Sequence, residues 1–134
     1  MTTTRRFGPP PSDADLHALA DGALAALPAA FRRLVQGVAI LIEEFPAEDV
    51  IESMGLESGY DLLGLYQGVS LDQKSVTGVA HDVDRILLYR APILLAWAEG
   101  EDALEDLVRN TLIHEIGHHF GLSDDDMARL EGAV

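Results

Sequence analysis

The sequence predicts an α+β fold, a small, twisted three-stranded mixed sheet with helices packed on it. Three observations predict it. Short apolar runs at 34–45, 62–71 and 85–90 are bounded by proline, glycine or polar residues, as strands are. Around them, apolar residues recur at helical spacing. The longest helical stretch, 101–121, ends on a glycine, the residue that most often stops a helix.

Residues 1–12 read as a disordered tail, because Gly8-Pro9-Pro10-Pro11 neither forms a helix nor donates to a sheet. Ser12 or Asp13 can cap a helix to about Ala26, with Leu16, Leu19, Ala20, Ala23 and Leu24 at helical spacing, and Pro28 ends or bends it. The run from Leu34 to Phe45 is then a strand buried on both faces, stopped by Pro46. A short helix follows around Ala47–Met54. The second strand, Leu62–Leu71, carries Gly64 and Gly68, which suit an edge, a bulge or a close backbone approach. The polar stretch Asp72–Asp84 is a loop and Arg85–Arg90 the third strand, after which Pro92 opens a short helix to about Glu99. In the last long helix, Glu101, Asp102, Glu105 and Asp106 fill the first turns, where the helix dipole favours anions. A final helix begins near Ser123.

At 134 residues and 48% hydrophobic, the chain has the size and apolar content of one globular domain, expected over 13–134. Nine basic residues face 23 acidic ones, a formal net charge of −14, which argues against nucleic acid and anionic membranes as partners. The absence of cysteine removes disulfides, thiolate ligands and Cys nucleophiles, so any transition-metal site must use His and carboxylates. No apolar stretch follows the arginines of the start, and the longest apolar run falls far short of a bilayer span; a cytoplasmic protein is the expectation.

The chemistry concentrates in Thr111 to Met127, TLIHEIGHHFGLSDDDM. His114 and His118 lie four residues apart on a helix, offset by about 40° around its axis and ~6 Å along it. Both imidazoles can therefore reach one ion at the ~2.1 Å that zinc requires. Glu115 is rotated by about 100°, too far for a third ligand but well placed to take a proton from water at the metal. A catalytic zinc needs three protein ligands and one open position. Gly121 can turn the chain sharply back and bring Asp124 to the metal; Asp125, Asp126, His119 and Glu131 are the other candidates. Equally, Ser123 can cap the last helix with the three aspartates as its first-turn acids. His119 fits a supporting or packing role better than ligation. His81 reads as a solvated loop histidine. Tyr60, Tyr66 and Tyr89 read as core or strand-face residues, and Tyr66, on the expected edge strand, is the first of them to test as an oxyanion donor.

The segment His114-Glu115-Ile116-Gly117-His118-His119-Phe120-Gly121-Leu122-Ser123-Asp124 resembles the zincin metallopeptidases, most closely the small bacterial members that are little more than a minimal catalytic fold. Leu63–Val69 and Arg85–Arg90 are supporting patterns. The resemblance implies a minimal zincin-like fold, a Zn2+ cofactor, a peptide or protein substrate, His114 and His118 as metal ligands and Glu115 as the catalytic base. The variant of the extended motif that ends in aspartate points to Asp124 as third ligand. Only ten residues follow Asp124, and Met127 is too close to form the methionine turn of larger relatives. Two other readings stay open: an interaction module stabilised by a closed metal site, and a hydrolase of a non-peptide amide.

Overall fold

A computed structural model describes residues 8–68 and 84–133, except the side chains of residue 124 and residues 130–133. The first helix, α1 (Asp13–Ala25), starts as its sequence requires. Ser12 Oγ accepts from the Asp15 N–H at 3.1 Å, and Asp15 Oδ2 accepts from the Ser12 N–H at 2.8 Å, a capping box. Just ahead of it, the Pro11 carbonyl accepts from Arg90 Nε at 2.8 Å.

A short helix that the sequence does not signal, α2 (Ala29–Leu34), follows Pro28 and ends on Leu34, the residue at which the strand is expected to begin. Proline fixes φ in a range that suits a helix entry, and Gly37, at φ 83°, then turns the chain, so the strand β1 spans only Ala39–Glu43. Next come α3 (Glu48–Ser53), a 3-10 turn (Gly59–Asp61), β2 (Gly64–Gln67) and β3 (Arg85–Tyr89). The chain ends with α4 (Arg90–Glu99), α5 (Leu104–Phe120) and α6 (Asp124–Ala133). The expected loop over 72–83, and the far end of the second strand beyond Gly68, lie outside the described residues. Glu101 and Asp102 precede α5 instead of filling its first turn, because Ala103 is extended and forms the cap; Glu105 and Asp106 take the first-turn places.

The sheet has the order β1–β3–β2 and is mixed, with β1 parallel and β2 antiparallel to β3. The central strand β3 is therefore the one buried on both faces. Ile86 and Leu88 join Leu16, Ala20, Val108, Leu112, Ile113 and Ile116 beneath α1 and α5. Leu87 and Tyr89 pack on the opposite face with Leu62, Val50, Leu56 and Leu65. The expectation that β1 is buried on both faces is corrected: it is an edge strand, with Ile40 buried and Leu41, on the opposite face, 39% exposed. A continuous apolar run signals burial but not the position of the strand in its sheet. No described helix is long and apolar enough to cross a membrane.

Candidate metal centre and active cleft

Helix α5 owes its orientation to its apolar stripe. Val108, Leu112, Ile113 and Ile116 are at most 1% exposed, and burying such side chains contributes roughly 1.5–3 kcal/mol each. With that face fixed on the sheet, His114 and His118 are left exposed on the other. Their Nε2 atoms stand 2.8 Å apart, with ring centroids at 4.3 Å and planes at 78°. Both rings thus aim the same nitrogen at one point. Two nitrogens bound to a single tetrahedral zinc at ~2.1 Å stand about 3.4 Å apart, so a slight opening of the rings admits the ion. The donor set fits zinc.

Glu115 lies beside the pair, half-buried. Its Oε2 accepts the backbone N–H of Tyr66 at 3.2 Å, a contact between residues 49 apart in the chain. Strand alternation explains why that N–H is free to be met. The Tyr89 N–H donates to the Leu63 carbonyl at 2.9 Å, so Leu63 and Leu65 turn their backbone groups towards β3, while Gly64 and Tyr66 turn theirs outwards. Burial pushes the Glu115 carboxyl above its ordinary value, against the opposing pull of the Tyr66 N–H and the two imidazoles.

The close fit of edge strand and helix depends on small residues. A Cβ at Gly64 would stand 3.0 Å from Thr111 Cγ2 and 3.1 Å from the Leu87 carbonyl oxygen. One at Gly68 would stand 2.6 Å from His119 Cε1. His119 stacks on Tyr66 with centroids 3.8 Å apart and planes at 13°, and Phe120 meets both rings edge-on. His119 therefore packs the strand against the helix and stays apart from the Nε2 pair. The Tyr66 ring faces this cluster, and its hydroxyl is buried without a hydrogen-bond partner among the described residues, so the main chain of Tyr66, not its phenol, meets the Glu115 carboxylate. Burial, then the charge of Asp84, pushes that phenol up to about 12. Tyr60 lies 47% exposed against Phe45 and Tyr89 is core, and neither lines the cleft beside the histidine pair.

Gly121 adopts the left-handed conformation, φ 65° and ψ 32°, and the Leu122 N–H returns to the Gly117 carbonyl at 2.9 Å. The turn folds α6 back onto α5. A Cβ at Gly117 would collide with Met127 Sδ, so the gap in the helix face is filled by the methionine side chain. Ser123 and Asp126 form a second capping box: Ser123 Oγ accepts the Asp126 N–H at 3.1 Å, and the hydrogen bonds of Ser123 hold the Asp126 carboxyl below its ordinary value. Asp126 is thereby committed to the cap and to Arg129. Asp125 is exposed. Asp124 opens α6, directly after the turn, but its side chain lies outside the described residues, as do that of Glu131 and all of His81. Among the described residues no third His, Asp or Glu joins the imidazole pair.

The pair opens into a cleft of about 800 Å³ between α5 and the outer edge of β2. Leu107, Asn110 and Thr111 form the helix wall; Met54, Leu62 and Leu65 form the other. The sequence signals the helix of this cleft and its edge strand at Gly64–Gly68, but not Met54 and Leu62, which carry no periodic or motif signal that ties them to the site. A family model of zincin-like metallopeptidases matches residues 35–133, which takes in β1, the edge strand, the cleft and the helix with its histidine pair. No curated protein matches the chain. The chain belongs to the zincin-like metallopeptidase family.

Proposed function

We propose that the protein is a zinc-dependent peptidase in which His114 and His118 hold the ion, Asp124 completes the ligand set and Glu115 is the general base. The observation that carries this reading is the convergence of two Nε2 atoms, 2.8 Å apart, beside a half-buried carboxylate in an open cleft. Zinc held there would supply Lewis acidity, which acidifies water and polarises a carbonyl. The chain's own part is to place the base. The Tyr66 N–H fixes Glu115 Oε2, leaving Oε1 to take a proton from the attacking water and pass it to the leaving amine. The raised proton affinity of the half-buried carboxyl brings it closer to the working pH of a base. An extended peptide can lie along the cleft against the outward-facing backbone of Gly64. The groove shape favours such a chain over a small amide, which a narrow pocket would suit better.

Purified Glu115→Ala should keep one zinc per chain, by metal analysis, and lose hydrolysis of an unbiased peptide library. Full activity in that variant would refute the assignment.

A further inference from the structure

The cleft has a direction. Gly64 meets Thr111, while Tyr66 and Gly68 meet Glu115 and His119, so β2 and α5 run the same way along it. Asp61 precedes β2 and Asp102 precedes α5, and both line the cleft at the end away from the histidines. From Leu104 to His114 the helix rises about 15 Å at 1.5 Å per residue. An extended peptide covers that length in four to five residues at ~3.3 Å each. Between the two ends Leu62, Leu63, Leu65 and Leu107 line the cleft, with Asn110 and Thr111 as the polar side chains of the helix wall. Neither Asp61 nor Asp102 forms an ion pair among the described residues, and no lysine or arginine there lines the cleft.

We infer that this cleft selects an extended peptide that carries apolar side chains next to the scissile bond and a cationic nitrogen four to five residues from it, held between Asp61 and Asp102. The inference rests on the proposed peptidase reading and adds the class of substrate. Charge complementarity commits the occupant. An anionic group at that end, including a free terminal carboxylate, would meet two like charges, so cleavage next to a C-terminus anchored there is disfavoured. A lysine or arginine side chain and a free N-terminal ammonium offer the same chemistry.

The test uses the full chain loaded with zinc and carrying Glu115→Gln, so that binding is read without turnover. The probes are blocked nonapeptides of alanine and leucine with a neutral fluorophore, in which lysine, norleucine or glutamate is scanned through every position, plus a set with a free N-terminus. Fluorescence anisotropy should show a position where lysine binds about threefold to tenfold tighter than norleucine, and glutamate weaker still, with a preference that shrinks as salt rises. Asp61→Asn combined with Asp102→Asn should erase the preference and leave norleucine binding unchanged. A free-amine peptide that matches lysine assigns the subsite to a terminal ammonium; one that does not assigns it to a side chain, and either outcome upholds a cation site. Equal binding of lysine, norleucine and glutamate at all positions, or a preference untouched by the two substitutions, overturns the inference. Charge-selective binding by a wild type that hydrolyses no peptide would instead leave this site standing and reject the peptidase reading.

Discussion

Two helices carry a histidine with a polar partner four residues on, and they put the same spacing to different ends. On α1, His17 Nδ1 pairs with Asp21 Oδ2 at 3.0 Å, and its Nε2 stands 3.2 Å from the Ile40 carbonyl of β1. Both ring nitrogens are taken. On α5, His114 and His118 bring two nitrogens of the same kind to one point, with no opposite charge between them. The edges beneath the helices repeat the contrast. The Ala39 N–H donates to the Asp84 carbonyl, so Ile40 turns its backbone outwards, where His17 covers it; at the other edge Glu115 covers Tyr66. Covering an exposed strand edge is an ordinary need of a small sheet. At β1 the covering imidazole is tied to an aspartate of its own helix, whereas at β2 the covering group is a carboxylate that lies beside two imidazoles at a cleft.

The largest test of this contrast is metal retention. His114→Ala or His118→Ala should weaken zinc binding by more than about a hundredfold, beyond what loss of an outer partner costs, while His17→Ala leaves it unchanged in a chelator competition titration. Equal losses in all three would erase the distinction between the helices.

A second test sharpens the role of Glu115 in the metal-free chain. Its carboxyl pKa is raised on folding, so the folded state is favoured while the group is protonated, below its unfolded value. That contribution is lost as pH rises through the folded pKa. Glu115→Gln should therefore raise the melting temperature at pH 7 to 8, by a margin that shrinks as the pH falls through the ordinary carboxylate range. A margin independent of pH would contradict the assigned burial.

The packing cluster offers smaller effects. His119→Ala removes the ring that stacks on Tyr66 and should cost roughly 0.5–1.5 kcal/mol in denaturant unfolding, with His119→Phe restoring most of it. If alanine and phenylalanine behave alike, the stack contributes nothing. Smallest of all at neutral pH is Tyr66→Phe, expected within about 1 kcal/mol of wild type because the hydroxyl has no partner to lose. Its effect should emerge in alkali. Tyr66 and Tyr89 are both raised from 10.0 to about 12, so the unfolded chain loses those protons first, and stability intact below pH 10 declines towards pH 12. The substitution should make that decline shallower, as followed by circular dichroism against pH.

Local signals were readable in the sequence wherever one residue type settles one conformation. Ser12 or Asp13 marked the start of α1, where the structure caps the helix with Ser12; Gly121 marked the end of α5, and the glycines at 64 and 68 the edge strand. The His114, Glu115 and His118 geometry followed from helical periodicity alone. What was hidden depends on contacts distant in the chain. Leu34 to Phe45 is apolar enough for one long strand, yet its first residue ends a helix, because the turn at Gly37 and the docking of β1 on β3 decide the boundary. The stack of His119 on Tyr66 and the acids at the far end of the cleft are products of topology, and no spacing within either segment encodes them.

In the proposed site the α5 imidazoles share one zinc while solvent keeps a place on it. Crystals of the zinc-loaded chain, measured at the zinc absorption edge, test it most directly. A single anomalous peak is expected within bonding distance of His114 and His118 Nε2, with one further protein oxygen, from Asp124, and one position open. A peak elsewhere, none at all, or four protein ligands closing the site would contradict it.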